Sequence, residues 1–436
     1  MRTEDSEMQP QLKMTLATVL ELQRASVQSR HHSGSRSVCV SNVGTVTNWV
    51  VPPISNTEVK GPATLHMRLC SNPREFDEAA QIRPLNSIGR RIDLLIGTQQ
   101  SAGNVAALLR YADKSPQPLR LNIVGLPAEP LNEVSPQITD GEAMSMWAPT
   151  KAALGTSAWR WLRSQSVAII GAGRTGSMLA EGLYRNGIAV CIIDDDILQP
   201  HNLGESAVFI PEDVGRVKSH ALADRLQDVT LGLTSISAVA ASAQQLRALP
   251  LIRNASVLFC AADNSTARLA AAMLAALYLI PLIDLGTGIQ RLTAAPDGSH
   301  PAERKIGADI RLCLPGRCLL CTGGLANVAE AAQIMIDSRN SQQVPWFEQR
   351  AGSLRSLNGC AVHLGLRMFE DWLENRCPHS TNRHTKLLFG NDGTPEIRTS
   401  DHPHSDSSEC PVCRLTGTGD NGLHDLPRTL EKLLKD

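Results

Sequence analysis

Residues 166–203 read SVAIIGAGRTGSMLAEGLYRNGIAVCIIDDDILQPHNL, and this stretch decides the fold. A short apolar run, Val167–Ile170, meets a glycine-rich turn, Gly171-Ala172-Gly173-Arg174-Thr175-Gly176. A helical pattern continues to about Arg185. A second apolar run, Ala189–Ile193, then ends in Asp194, Asp195 and Asp196. Strand, glycine turn, helix, strand and acid place a nucleotide's phosphates at a helix N-terminus, with a carboxylate about 20 residues later at a ribose hydroxyl. Gly171 and Gly173 let backbone amides approach phosphates, and Gly176 permits close helix–strand packing.

The alternation continues on both sides. A helical approach segment, about Ala143–Arg163, precedes the turn. After it come a loop, Ile197–Glu212, and a helix with a basic start, running from Gly215-Arg216-Val217-Lys218 to about Leu226. A strand at Ser235–Ala240, a short helix at Gln244–Leu249 and a buried strand at Val257–Ala261 lead to Asp263-Asn264. A helix at Ala267–Leu277 and a strand at Ile280–Asp284 end in Gly286-Thr287-Gly288. This pattern predicts an α/β fold, a Rossmann-like, doubly wound, mostly parallel sheet with right-handed crossovers.

The flanks divide the chain further. Residues 1–36 are polar and read as a mobile N-terminal arm or one surface helix near Leu12–Leu22, with His31-His32 in solvent. Residues 37–145 read as a small N-terminal α+β domain of unknown role. It has strands at Ile92–Ile96 and Leu119–Val124, a helix at Asn104–Tyr111 and a proline-rich connector, Leu126–Pro136. Residues 146–288 form the nucleotide-binding core. Residues 289–436 hold a long, polar, partly irregular insertion, a helix at about Leu354–Asn375, a turn-rich tail and a short terminal helix.

A chain of 436 residues supports two or three domains. A formal net charge of −1 provides no basic field for nucleic acid or an anionic membrane. Aromatic residues, at 3%, are too few for base-stacking platforms. No secretory signal is visible, and the longest apolar stretch, Leu269–Ile283, contains Pro281 and is shorter than a membrane span. These features predict a soluble, cytoplasmic protein. In a reducing compartment, eleven cysteines in a chain of this length point to metal or chemistry rather than a disulfide scaffold.

In an open parallel sheet, residues just past the carboxyl ends of the strands converge on one crevice. That rule gathers Asp194, Asn202, Lys218 and Asp263. A lysine near phosphates and a second carboxylate for Mg²⁺ suit a triphosphate, whose charge must be neutralised before its α-phosphorus is attacked. The set therefore favours ATP. An NAD-dependent oxidoreductase stays open as the alternative, resting on the glycine turn and Asp194 alone. Separately, Cys318-Leu-Leu-Cys321 and Cys410-Pro-Val-Cys413 are two CxxC knuckles. Such pairs assemble closed tetrahedral Zn²⁺ sites, in which four thiolates leave no open position for catalysis.

Residues about 145–415 resemble the ThiF/MoeB/HesA family of ubiquitin-activating-enzyme-like adenylyltransferases. The resemblance rests on GAGRTGS at 171–177, IIDDDILQPHNL at 192–203, GRVKS at 215–219, ADNSTAR at 262–268 and PLIDLGTG at 281–288, together with CLLC, SLNG at 356–359 and CPVC. It implies an enzyme that uses ATP and Mg²⁺ to adenylate the C-terminal carboxylate of a ubiquitin-like or sulfur-carrier protein, or of a short peptide. It also implies a homodimer. By the same resemblance Gly171, Gly173 and Gly176 cradle phosphates and Asp194 holds the ribose, with Asp196 and Asn264 completing the nucleotide-binding set. Asn202 and Lys218 contact phosphates, and Asp263 positions Mg²⁺.

The sequence departs from the family pattern in two places. Glu205 stands where the family commonly has an arginine, and an acid beside a triphosphate opposes binding. No arginine occurs between Arg120 and Arg160, so Lys151 is the nearest substitute for the approach-helix arginine that reaches a neighbouring subunit's ATP. A catalytically weakened scaffold is therefore a further alternative. Cys313, expected to be accessible in the insertion, and Cys360, expected to be packed, are the candidates for a thiol that takes over the acyl group.

Overall fold

The computed structural model describes strand segments within residues 11–124 and residues 146–291, 304–337 and 353–434, less positions 205, 207, 228, 231, 375, 379, 380, 391 and 404–408. His31-His32, the connector Leu126–Pro136 and Glu205 lie outside the described residues. The chain divides into two compact units. One comprises Met1–Gln137, Leu277–Leu279 and Arg414–Leu426, and the other Ile138–Ala276, Ile280–Cys413 and Pro427–Asp436.

In the first unit the described residues before Gln137 are all strand: β1 (Gln11–Thr15), β2 (Ser35–Val43), β3 (Thr45–Val50), β4 (Ala63–Leu69), β5 (Ile92–Thr98), β6 (Val105–Arg110), β7 (Gln117–Pro118) and β8 (Arg120–Val124). They form one mixed sheet in the order β7-β6-β5-β4-β2-β3-β1-β8. The helix expected at Asn104–Tyr111 is β6, antiparallel to β5. Its Ala and Leu residues suit a helix, but a segment of six residues gains little from propensity, and a neighbouring strand satisfies its backbone. The stretch near Leu12–Leu22 likewise contributes a strand, β1, between β3 and β8.

The second unit carries the sheet foreshadowed by residues 166–203. Two helices, α1 (Ala148–Leu154) and α2 (Thr156–Arg163), replace the single approach helix. Gly155 breaks them apart with φ +80°, a conformation L-residues avoid. The sheet begins with β9 (Ser166–Ile170), helix α3 (Arg174–Arg185), β10 (Ala189–Ile193), the one-turn α4 (Pro200–Leu203), α5 (Lys218–Leu226) and β11 (Ile236–Val239). It continues through α6 (Leu249–Arg253), β12 (Val257–Cys260), α7 (Ser265–Leu277), β13 (Leu282–Arg291) and β14 (Arg304–Cys313). Then follow α8 (Val328–Asp337), α9 (Arg355–Leu373), β15 (Thr381–Phe389), β16 (Pro395–Pro403) and α10 (Leu426–Leu433).

The strand order is β11-β10-β9-β12-β13-β14-β15-β16. β9 to β13 are parallel, and β14, β15 and β16 add antiparallel strands beyond β13. Much of the expected irregular insertion and turn-rich tail is therefore sheet. The polar alternation of Thr381–Phe389 hid a half-buried strand whose Thr385 and Leu387 point to the covered face. Helix α9 packs across the sheet and against α3. Phe369 meets Phe259 edge-on at 5.6 Å, and a Cβ on Gly365 would lie 2.6 Å from Leu285. Among the described residues no helix is long and apolar enough to cross a membrane.

Candidate nucleotide site and four-cysteine cluster

The chain leaves β9 in one direction across the sheet and β12 in the other, so the β9–β12 boundary is a topological switch point, where such sheets open a crevice. Register aligns its rim. Ile170 pairs with both Ile193 and Cys260, Ile193 with Val239, and Cys260 with Asp284. The next residues outward, Gly171, Asp194 and Ala261, therefore share one edge. The Gly171 amide donates to Ile193 O at 3.0 Å and the Ala261 amide to Ile170 O at 2.9 Å.

Each glycine of the turn has a distinct reason. Gly171 has φ +98°, and a Cβ there would lie 3.1 Å from the Ala261 backbone. A Cβ on Gly176 would lie 1.9 Å from the Gly171 carbonyl oxygen, so only glycine lets α3 start this close to β9. A Cβ on Gly173 would meet nothing within 4 Å, so its missing side chain leaves open space. Gly173 is the N-cap of α3, and no side chain caps that helix. Its first amides are left for an outside acceptor.

Asp194 is tied into the turn from its own strand end. Its Oδ2 accepts from the Ala172 amide at 2.6 Å and its Oδ1 from the Asp196 amide at 2.8 Å. Burial pushes its pKa up to about 6, against the pull of Lys218 and the two amides. Lys218, at the start of α5, places Nζ 2.8 Å from Asp196 Oδ2, and its own amide donates to Asp196 O at 2.8 Å. Ser219 Oγ donates to Asp194 O at 2.7 Å. Asp194, Asp196 and Lys218 thus form one hydrogen-bonded group beside the glycine turn.

The other predicted residues separate into exposed groups and groups that shape the backbone. Asn202 Oδ1 accepts from the Gln199 amide at 2.9 Å and closes the α4 turn. Asn264 Oδ1 accepts from the Ala267 amide at 2.7 Å, which makes Asn264 the cap of α7. Asp263, just before it, is exposed. The SLNG stretch opens α9, where Asn358 is buried. Thr287 Oγ1, from the GTG of β13, donates to Asn358 Oδ1 at 3.0 Å, and Arg355 Nη1 donates to Ser206 O at 2.9 Å.

Three groups that the sequence reading passed over support this rim. Asp213 is fully buried and accepts from Arg225 Nε at 2.9 Å, Arg216 Nη1 at 3.0 Å and the Ile210 amide at 3.1 Å. Burial alone would raise its pKa, but these donors hold it below the usual carboxylate range. The carboxylate pins the loop between Asn202 and Lys218. Arg268 Nε donates to the buried Asp284 Oδ1 at 2.9 Å, joining α7 to β13. Both partners lie inside motifs already singled out, ADNSTAR and PLIDLGTG, yet only the fold brings them together.

Two expectations about thiols are corrected. Cys313 ends β14, is buried, and has its thiol pushed up to about 12 by burial, so it is not accessible. Cys360, expected to be packed, is exposed on α9. Lys151 Nζ lies 5.4 Å from the centre of the Trp159 ring, in a cation–π contact within its own chain.

The four remaining motif cysteines do gather. Cys318 Sγ lies 3.6 Å from Cys410 Sγ and 3.8 Å from Cys321 Sγ, and Cys321 Sγ lies 3.5 Å from Cys413 Sγ. All four ligand atoms lie within 4.8 Å of one another, an arrangement able to hold one metal ion. The Cys318 amide donates toward Cys413 Sγ at 3.4 Å.

A doubly wound sheet with a glycine turn and an acid–lysine group at its switch point defines the structural class. The ThiF family model matches residues 150–293. The sulfur carrier protein ThiS adenylyltransferase of Bacillus subtilis is 30% identical over 255 residues, covering 58% of this chain and 70% of that protein. The chain belongs to the ThiF family. The ATP-dependent ubiquitin transferase-like protein Cap2 of Enterobacter hormaechei is 39% identical over 84 residues, and the match spans 19% of this chain and 14% of that protein's length. Among solved structures, E. coli MccB in complex with N-formylated MccA has a TM-score of 0.45 at 18% identity, covering 63% of this chain and 76% of that one. PaaA has a TM-score of 0.41 at 15% identity, covering 63% and 87%.

Proposed function

We propose that this protein is an ATP-dependent adenylyltransferase that activates the C-terminal carboxylate of a ubiquitin-like or sulfur-carrier protein or of a short peptide. The observation that carries the reading is the Asp194–Asp196–Lys218 group beside the uncapped start of α3. Family membership and the activity named for the Bacillus subtilis relative support it. A lysine held at the phosphate end of the crevice favours a triphosphate over a dinucleotide.

In this reading the α3 amides and Lys218 hold phosphate oxygens, Asn202 adds side-chain amide donors and Asp194 accepts from the ribose. Asp263, exposed just past β12, would hold Mg²⁺, which would supply charge neutralisation of the triphosphate. A substrate carboxylate oxygen attacks the α-phosphorus, the bond to the bridging oxygen breaks, and pyrophosphate leaves. The chain's contribution is positioning and charge neutralisation.

The four cysteines fit a structural Zn²⁺. Zn–S bonds of about 2.3 Å imply tetrahedral S···S edges of roughly 3.8 Å; three of the six separations are 3.5–3.8 Å, and all lie within 4.8 Å. Metal-bound thiolates of this kind suit a reducing compartment, which supports a cytoplasmic location. We extend the reading to a homodimer, which sedimentation of the purified protein checks.

ATP–pyrophosphate exchange with candidate carrier proteins and peptides tests the proposal. Asp263→Ala is expected to lower exchange by about 10²–10³-fold. Exchange at the wild-type rate in that variant removes Asp263 from the mechanism.

A further inference from the structure

Behind the Asp263 turn runs a set of charged side chains that adenylation does not use. Arg268, in the first turns of α7, pairs through Nε and Nη2 with Asp284, which is fully buried. Asp284 stands directly opposite Arg311 in the β13–β14 register. Arg311 is 5% exposed and donates from Nη2 to Asp309 Oδ2 at 2.8 Å and from Nη1 to the Thr322 carbonyl. His384 Nε2 meets Asp309 from β15. Thr322 follows Cys321, and its hydroxyl donates to Leu319 O at 3.0 Å within the turn that presents Cys318 and Cys321. Gly324 leaves room for the Arg311 stem, since a Cβ there would lie 3.0 Å from Arg311 Cδ. Polar contacts therefore lead from the cysteine turn to Arg311, and the residue opposite Arg311 in register, Asp284, holds the start of the helix that follows Asp263.

We infer that Arg311 is a positioning residue that couples occupancy of the four-cysteine metal site to the nucleotide site. The inference rests on the adenylation reading of Asp263. A buried guanidinium must keep its acceptors. With the thiolates held on a metal, the turn keeps the Thr322 carbonyl on Arg311, and Asp284 stays with Arg268. When the turn relaxes, Arg311 loses that acceptor and competes with Arg268 for the facing Asp284, which loosens the start of α7 and the Asp263 turn. Coupling of this kind is reciprocal, so a ligand at the nucleotide site also holds the metal.

The test follows release of zinc from the full-length protein to excess chromogenic chelator, with and without ATP and Mg²⁺, while calorimetry measures ATP binding separately. ATP with Mg²⁺ is expected to slow zinc release about fivefold in the wild type. The effect is expected to vanish in Arg311→Met and in Arg311→Lys, while both variants still load zinc and bind ATP. Lysine keeps the charge but lacks the planar fork that reaches Asp309 and Thr322 together. A merely structural role would change zinc release equally with and without ATP. Should Arg311→Met fail to fold, Arg311→Lys and Arg268→Lys carry the test. ATP binding with unchanged zinc release in the wild type overturns the coupling alone, as does full retention of the effect in Arg311→Lys. Absence of ATP binding overturns the adenylation reading and the coupling together.

Discussion

Between β9 and β10, the hydrogen bonds that tie the glycine turn, its acid and Lys218 together join residues 22 to 25 positions apart: Ala172 to Asp194, Asp196 to Lys218, and Asp194 to Ser219. At the β14–β15 end the separations are 68 for Leu314 with Asn382, 75 for Asp309 with His384 and 92 for Cys318 with Cys410. The first end closes through one strand–helix–strand unit, with glycines and backbone amides as its main parts. The second must gather segments from across the chain, and the entropy of closing those loops grows with their length. Side-chain pairs and a four-thiol cluster are concentrated where that cost is larger. A locally coded end tolerates loss of one long-range contact, whereas a gathered end depends on its staples.

The largest expected effect tests that contrast directly. Cys318→Ser is expected to abolish zinc loading and to expose β14 and β15 to amide hydrogen exchange, while β9, β10 and β12 keep their protection. Structural zinc sites carry about 10–16 kcal/mol of apparent binding energy linked to folding. Metal analysis and residue-resolved exchange read both results, and uniform loss of protection across all strands breaks the comparison.

A smaller effect is expected at Asp213, on the locally coded side. Asp213→Ala leaves the Ile210 amide and Arg225 without this acceptor and Arg216 with Asp224 alone, for a loss of about 3 kcal/mol, moderated because both arginines can turn to water. Chemical denaturation measures it. Because the Asp213 pKa is depressed in the fold, its stabilisation is present above the ordinary carboxylate range and is lost as pH falls through the depressed value. The difference between wild type and Asp213→Ala should therefore shrink in acid.

The smallest effect concerns Asp194, whose folded pKa is raised to about 6. Its contribution to stability is complete below the ordinary carboxylate range and is lost as pH rises through about 6. An ionised carboxylate is the stronger acceptor for a ribose hydroxyl. Adenosine nucleotide affinity is therefore expected to rise roughly fivefold, about 1 kcal/mol, from pH 5 to pH 7.5. In Asp194→Asn the rise should be smaller by that factor, leaving the titration of the nucleotide's own phosphate, and calorimetry at the two pH values decides it.

Legibility follows the same division. The glycine turn, Asp194 and the parallel strands were readable because alternating apolar runs, glycines and a strand-end acid lie within one short window. The CxxC pairs were readable as chemistry, since thiol spacing implies a metal whatever the fold. The β15–β16 hairpin escaped notice because a strand with one open face mixes Lys, Arg and His with its buried residues. β6 was misread because Ala and Leu favour a helix until a partner strand takes the backbone hydrogen bonds. Asp213, Arg268 and Arg311 carried no signal, because a charged residue inside a motif reads as surface until burial and a partner are known.

The sequence by itself determined the class of the sheet, the position of the glycine turn and its acid, and the identity of the four thiols. Local geometry and residue chemistry suffice for these. Only the tertiary structure decided that Asn264 is a helix cap, that Cys313 is buried while Cys360 is exposed, and that the buried Asp284 and Arg311 face each other between Arg268 and Asp309. Those outcomes depend on which strands lie side by side and which faces water reaches, quantities set by contacts between residues far apart in the chain.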